Sequence, residues 1–389
     1  MSAVLPFTAP TAPAAHRPAG TGTHVQVLTD LEALRALIPD WEALAAEAVD
    51  SNPFYEHWML LPALEAYGMG EGFRCIAIWD HGKLGALLPM QLERSFRGLP
   101  VSALRSWRHR NMLVSSPLLR GKSAAACVAA LLESDVAAVL DFDWLPTESA
   151  FYGALCEAAA ANGVPWVVND AYVRPILVQG RDPRERFNSN MKNNLRRCEA
   201  KLRKHGELTP VRLRALADVP AWAQAFMELE ASGWKGREGT ALICREDDRR
   251  FVAEVLPDAF RRGRLFITGL DLGGRPLARH MMFTAGEGAY CFKIAYDDAH
   301  SSASPGLLGE VENVRQFTEL PVRWLDSNTA RENVQSYARV WKDSRTLQRV
   351  AIGLSGMGRL AVAGLPAVRY AKQALSHVAR RQHADRASR

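Results

Sequence analysis

One pattern in this 389-residue chain constrains its fold more than any other: a strand–turn–strand unit written twice. FRCIAIWDHGKLGALLPMQLER, at 73–94, places short apolar runs on either side of Asp-His-Gly-Lys, with Gly82 supplying the turn. RLFITGLDLGGRPLARHMMFTAG, at 264–286, repeats the unit around Leu-Gly-Gly-Arg. Each hairpin is followed by a further strand candidate, a serine-proline turn, a helix and another strand. The first copy has SSPLL (115–119) and then AAVLDFDWL (137–145); the second has SPGLL (304–308) and then VRWLDSN (322–328). The order predicts an internally duplicated α/β (α+β) unit, two tandem lobes each with a mixed central sheet flanked by helices. The expected boundaries are 23–180 and 181–350, between a disordered tail (1–22) and a basic C-terminal segment (351–389).

Composition permits this architecture. Apolar residues make up 48% and charged residues 23%, enough apolar side chains for a sizeable core and enough charge for a water-facing surface. The net charge of +6 allows a polyanionic partner without demanding one. None of the six cysteines forms a C-x-x-C pair, so they read as reduced thiols of a cytoplasmic protein. The Ala/Pro/Thr-rich N-terminus lacks the basic and apolar regions of a signal peptide and reads as disordered. No apolar run reaches the ~18 residues of a spanning helix.

Two segments are strongly basic. Residues 186–206 contain seven Lys or Arg and one acid, Glu199, around a narrow apolar stripe of Met191, Leu195, Cys198 and Leu202. This is a helix that packs on the second half with a solvated face, or one that faces an anion. From Arg339 to the end there are eleven Lys or Arg against two Asp. Beyond Pro366, apolar Val368, Ala371, Leu375 and Val378 share a helical face beside Arg369, Lys372, Arg380 and Arg381. Such a helix can lie on the inner face of an anionic membrane, or serve as an ordinary C-terminal helix.

Several motifs fail. Arg-Gly-Lys-Ser (120–123) has Ser116 where a P-loop needs glycine. GLSGM (353–357) has Met357 where a nucleophile elbow needs glycine, and no strand is expected before it. The ten histidines show no metal-ligand spacing, and no metal site is expected.

The informative stretch is AYDDAHSSASPGLLGE, 295–310. A turn that hands a strand to a helix exposes the helix's first unpaired N–H groups, which favour an anion, typically phosphate. Gly306 permits close approach to the backbone, Ser301, Ser302 and Ser304 offer hydroxyls, and Pro305 suits the first turn. A Ser-Pro-Gly sequence is also a good cap for any helix, and local chemistry leaves the two readings balanced.

NMKNNLRRCEAKL, GWKGREGTAL (233–242), FKIAYDDAHSSASPGLLGE and DSN…VWKDSR (326–345), in this order and spacing, resemble the GNAT-type acyltransferases of the CelD/BcsL (cellulose biosynthesis) kind, related to the FemAB peptidyltransferases. The resemblance covers 185–345 well and the first half more loosely, through GKLGALLPM, SWRHRNML and SSPLL. It implies two GNAT-like lobes and an enzyme that transfers an acyl group, usually from acyl-CoA (acetyl-CoA), to a small-molecule amine. Acyl-CoA is then a co-substrate and no cofactor is permanently bound. The CoA pyrophosphate would sit at 301–307, on Ser301, Ser302, Ser304, Gly306 and Leu307. The usual Q/R-x-x-G-x-G/A signature is absent, and SSPLL has no glycine, which implies a degenerate first lobe.

Amine acylation needs a proton acceptor and an oxyanion donor. The resemblance places the donor on the backbone near Lys293 to Ala295. The candidate bases are Asp297, Asp298, Glu230 and His280, with Asp297 best placed by sequence, and Tyr296 is the candidate acid for the leaving thiolate. Each has a plain alternative: Asp297 as a turn cap, His280 and Tyr296 as packed strand residues. Trp234 and Lys235, between two glycines, read as a substrate-contact loop, and Lys342 and Arg345 as contacts to an anionic substrate or solvated residues. Two other functions stay open: a FemAB-like transferase that takes its acyl group from aminoacyl-tRNA, and a non-catalytic membrane-associated assembly factor.

Overall fold

The computed structural model describes residues 22–370. The expectations for the extreme N-terminal tail and for the helix face beyond Tyr370 lie outside the described residues.

The first half supplies β1 (Thr23–Leu28), α1 (Leu31–Ala36), α2 (Ile38–Glu47), α3 (His57–Tyr67), β2 (Phe73–Asp80), β3 (Lys83–Glu93), β4 (Ala103–Ser106), the two-residue β5 (Leu118–Leu119), α4 (Ala124–Glu133), β6 (Val139–Pro146), α5 (Ala150–Ala161) and β7 (Trp166–Val178). The second supplies α6 (Ser189–Arg203), β8 (Leu208–Arg212), α7 (Val219–Ser232), α8 (Trp234–Arg237), α9 (Glu246–Arg261), β9 (Leu265–Leu272), β10 (Arg275–Ala285), β11 (Gly288–Tyr296), α10 (Pro305–Phe317), β12 (Trp324–Asp326), α11 (Val334–Ala338) and β13 (Asp343–Gly353). A final helix spans 356–370.

All the strands join one mixed sheet, ordered β1-β2-β3-β4-β6-β13-β7-β12-β11-β10-β9-β8, with β5 off the path against β3. Read inward from either edge, the two halves repeat one pattern. Three antiparallel pairings lead to a parallel one, β4 with β6 and β11 with β12. The duplication expected from the hairpins is therefore present.

The centre of the sheet was not legible in the repeat. β7, from the end of the first half, pairs with β12 of the second, while β13, near the end of the chain, pairs with β6 of the first. β7 and β13 then pair with each other across ten residue positions. Each lobe thus borrows its innermost strand from the other, and no cut between 180 and 181 separates two self-sufficient sheets.

The strands alternate between two buried faces. On β2, Cys75, Ala77 and Trp79 enter one core, whereas Ile76 and Ile78 enter another. The first core is continuous across both lobes: Trp41, Trp58 and Leu64 share it with Phe226, Phe251, Val255 and Phe283. On the other face, α4 and α5 cover the first lobe, and α10 and α6 the second. The basic helix α6 is anchored as its stripe predicts, with Cys198 and Leu202 buried and Lys192, Arg196 and Arg197 exposed.

Three local expectations are corrected. SSPLL does not start a helix: Ser115 and Ser116 are buried and the chain runs extended into β5. The α4 helix begins only after a 3-10 turn at Gly121–Ser123. A strand does precede GLSGM, since β13 ends at Gly353, but the Ser355 hydroxyl is taken up as a cap that accepts from the Gly358 N–H. GWKGREGTAL is not an open loop, because Trp234–Arg237 form a short helix.

The seam is fastened by charge. Arg174 on β7 and Arg345 on β13 stand directly opposite each other. Asp326 on β12 accepts from both: Arg174 Nε and Nη2 lie 2.8 and 3.1 Å from its carboxylate, and Arg345 Nη1 lies at 3.0 Å. Arg174 and Asp326 are fully buried. Removing the carboxylate would leave the buried Arg174 guanidinium without its counter-charge and Arg345 with Glu148 alone, a loss of about 3–5 kcal/mol. Asp326→Ala is therefore expected to lower the unfolding free energy by about that amount in urea titration. A change within about 0.5 kcal/mol would show that the triad holds nothing together.

Candidate active site

The parallel pairing of β11 with β12 covers only Gly288–Tyr290 against Trp324–Asp326. Beyond it β11 continues to Tyr296, while the other strand gives way to the irregular segment 327–330. A bulge lies just past the parting point: Met281 opposes Lys293 and Met282 opposes Cys291, so Phe292 is the extra residue. The two strands therefore splay, and the gap between them opens into two adjoining cavities.

The first cavity, about 470 Å³, runs along the start of α10. Ser301, Ser304, Pro305, Gly306 and Leu307 line it on one side, with Asn194 of α6 and Arg339 among the residues facing them. The second, about 370 Å³, lies between Phe292–Tyr296, the segment 327–330 and the Arg110–Leu113 loop of the first lobe. Ile294, Tyr296, Ser336 and Tyr337 line both cavities, so the two form arms of one trough.

The Ser-Pro-Gly turn lies at the start of α10 and faces the first arm. Ser304 is N-cap of α10 with a left-handed backbone (φ 49°), and its hydroxyl makes no capping bond to the helix. Ser301 and Leu307 also line the arm, while Ser302 is exposed and its carbonyl accepts from Lys201 of α6 at 3.3 Å. Gly306 has a second reason to be glycine. A Cβ there would come within 2.9 Å of the Tyr296 ring, so the missing side chain lets Tyr296 lie against the first turn of the helix.

The expected catalytic residues do not converge, and Asp298, at the edge of the first arm, pairs with Arg237 at 3.3 Å. Tyr296 stands where the two arms meet. Asp297 caps the 3-10 turn Asp298–Ala303, accepting from the Ala299 N–H at 2.9 Å. Glu230 is buried beneath the second arm, where it accepts from Lys235 Nζ and the Leu242 N–H, each at 2.8 Å. His280 is fully buried under α10, and burial pushes it down to about 3, so it stays neutral. Its packing is tight, since a Cβ on Gly309 would lie 2.6 Å from Ala278 and 3.2 Å from His280 Nε2.

Of the expected substrate contacts, Trp234 and Lys235 line the second arm. Lys235 also donates to the Ile294 carbonyl at 3.0 Å, on the splayed part of β11. Arg345 and Lys342 lie elsewhere. Arg345 is a seam residue that lines a separate cavity with Trp324 and Glu148, and Lys342 donates to the Ala338 and Arg339 carbonyls of its own turn.

Three features of the trough were missed in the sequence. The first is Lys293, which lines the second arm 3.8 Å from Glu230 and whose pKa burial lowers. The second is the loop Arg110–Leu113, clamped from both sides. Asn111 Nδ2 donates to Asp248 (2.7 Å) and to the Tyr67 hydroxyl (3.0 Å). Leu113 donates to Asn328 Oδ1 and accepts from Arg174 Nη1. In the sequence this loop stood out only as part of the loosely matching SWRHRNML run, because the partners that clamp it lie more than 40 residues away in the chain.

The third is Glu310, one helical turn into α10 in the floor of the first arm. Burial pushes its carboxyl up to about 7, against hydrogen bonds from Trp341 Nε1 (2.6 Å) and Asn313 Nδ2 (3.3 Å). Its spacing from Pro305 was readable, but its burial was not.

Residues 189–339 match the acetyltransferase (GNAT) domain family. That segment holds α6, the splayed β11, the turn and α10. No curated protein matches the chain. Among solved structures, the crystal structure of FemX is similar at 10% identity, with a TM-score of 0.53 over 85% of this chain and 98% of that one. A conserved protein of unknown function from Bacteroides thetaiotaomicron VPI-5482 is similar at 11% identity, with a TM-score of 0.50 over 82% and 97%. At these identities the likeness is one of fold, and it extends over both lobes. The GNAT domain supports a transferase.

Glu310 yields a testable consequence. Its folded-state pKa lies above the unfolded value, so the folded protein keeps a proton that the unfolded chain releases. Stability is then greatest below the unfolded pKa and falls as pH rises through about 7. Between about pH 5 and pH 8 the wild type should lose up to about 3 kcal/mol relative to Glu310→Gln in parallel denaturant titrations. Parallel pH profiles for the two proteins would refute the assignment.

Proposed function

We propose that the protein transfers an acyl group from an acyl-CoA thioester to the primary amine of a small acceptor such as an amino sugar or amino acid. The observation that carries this reading is the two-armed trough at the parting of β11 and β12, with the first turn of α10 in one arm. The α10 N-terminus, Ser304 and the nearby cations of α6 suit the phosphates of the donor. The other arm, walled by Asn111, Asn328, Thr329 and Lys293, takes the acceptor.

In this reading Tyr296, at the junction, supplies the proton to the leaving thiolate. Lys293 receives the proton of the attacking ammonium, directly or through water. A lysine whose neutral form is favoured by burial is suited to that task. The backbone of the splayed β11 provides the oxyanion contact, since this stretch has lost its neighbour strand. The order of motifs shared with CelD/BcsL-type enzymes supports an acceptor from envelope or exopolysaccharide metabolism.

Calorimetry against acetyl-CoA and longer acyl-CoAs should show saturable binding by at least one. No binding by any would overturn the donor assignment. Tyr296→Phe should lower kcat by roughly 10²-fold with acyl-CoA affinity little changed, as expected when a general acid is removed. Lys293→Met should remove the alkaline-rising limb of the kcat/KM profile. If that limb persists, another group accepts the proton.

A second donor is favoured by one observation. Helix α6, whose Asn194 lines the donor arm, also carries the exposed Lys192, Arg196 and Arg197, a basic surface that suits the backbone of an aminoacyl-tRNA. That reading requires tRNA binding that weakens steeply with salt.

A further inference from the structure

Helix 356–370 carries apolar side chains on two faces. Val362 and Leu365 enter a small core with Phe96, Val101, Val139 and Ala351, which fixes the helix to the first lobe. Met357, Leu360 and Val368 point away from it, 63, 71 and 51% exposed, and Tyr370 is 76% exposed. Ten large apolar side chains are exposed to a comparable degree among the described residues, and these four fall within one 15-residue helix. Met357, Leu360, Gly364 and Val368 are spaced i, i+3, i+7, i+11, a stripe along one side. A stripe of aliphatic side chains in water is unfavourable unless something covers it.

Charge identifies the cover. Residues 355–389 contain seven Lys or Arg and one acid, a net charge of +6 that equals the net charge of the whole chain. Everything before Ser355 is therefore balanced. The described helix carries Arg359 and Arg369, the latter bonded to the Val168 carbonyl, and Arg97 is close enough to feel the charge of Arg369; Arg349, nearby, is already paired with Asp143 at 2.6 Å. Leu99, at the tip of the Phe96–Leu99 turn, adds another exposed apolar side chain near Phe96.

A nucleic acid would use the arginines but has nothing to offer Met357, Leu360 and Val368. A second copy of this chain would cover the stripe but would bring the same positive charge. A bilayer of anionic lipids satisfies both, with acyl chains under the stripe and headgroups against the arginines. We propose that helix 356–370 and the basic segment that follows it seat the protein on an anionic membrane surface, apolar stripe inward. The proposal is independent of the acyl donor, because none of these residues lines either arm of the trough.

The test is flotation of the full chain with vesicles of phosphatidylcholine alone and of phosphatidylcholine with about one third phosphatidylglycerol, at low and high salt. Binding should require phosphatidylglycerol and weaken with salt. Leu360→Glu should weaken it roughly tenfold or more while leaving the melting temperature unchanged, because Leu360 is outside the core. Absence of flotation, equal flotation on both vesicles, or an unchanged Leu360→Glu variant would overturn the proposal. Two further measurements run alongside. Tight tRNA binding without flotation would reassign the charge to nucleic acid, and self-association abolished by Leu360→Glu without flotation would reassign the stripe to a second copy.

Discussion

Two arginines facing each other across adjacent strands should repel, and the centre of this sheet depends on the aspartate that prevents it. Arg174 and Arg345 are direct cross-strand partners in the pairing of β7 with β13. Like charges in that position destabilise a sheet. Asp326, on the strand beside β7, reaches both and turns the repulsion into an ion network, which Glu148 extends by pairing with Arg345 at 2.9 Å. Such a network contributes little stability relative to apolar packing, but it tolerates few alternatives. A one-residue slip of either long strand would turn its arginine to the opposite face and leave the carboxylate with one partner. We therefore read the triad mainly as a register lock.

The site inherits that lock. Asp326 Oδ1 also accepts from the Asn328 N–H at 2.7 Å, holding the chain where β12 ends. Asn328 in turn accepts from Leu113, and Leu113 accepts from Arg174, so one hydrogen-bonded circuit joins the seam to the wall of the trough. The first lobe has no helix start at its SSPLL turn, yet it is not idle. It lends the Arg110–Leu113 loop to the second lobe's cleft and shares a continuous apolar core with it. The tandem arrangement thus makes one site from two copies of a fold.

Much of this was legible along the chain because the signals were local. Hairpin turns at Gly82 and Gly273–Gly274, the short apolar runs of β2 and β10, and the apolar stripe of α6 each depend on a few neighbouring residues, and each element formed as read. The α10 start at Pro305 was legible for the same reason. The reading failed where the decision was made at long range. SSPLL has the composition of a helix-starting turn, but pairing with β3 draws Leu118 and Leu119 into a strand. Arg345 has the composition of a surface contact, but its partner is 19 residues away on a strand whose place in the sheet no local pattern reveals. Glu230 was picked out as an acid near the right strand, and its partners Lys235 and Leu242 are close in sequence. The neighbouring Lys293, equally visible as a residue type, passed unmarked because only the bulge at Phe292 and the splay of β11 set it beside that carboxylate.

By itself, then, the sequence determined that the chain carries two copies of a hairpin-led α/β unit, that the second copy has a helix start suited to an anion, and that its positive charge is gathered at the C-terminal end. Turn chemistry, side-chain periodicity and charge count are properties of short segments and survive without knowledge of the rest. Tertiary structure alone decided that the lobes exchange their innermost strands, that a loop of the first lobe walls the cleft of the second, and that Glu310 is buried deeply enough to push its carboxyl up to about 7. Those outcomes depend on which strands become neighbours and how far each group is removed from water, and both are set only when distant parts of the chain pack together.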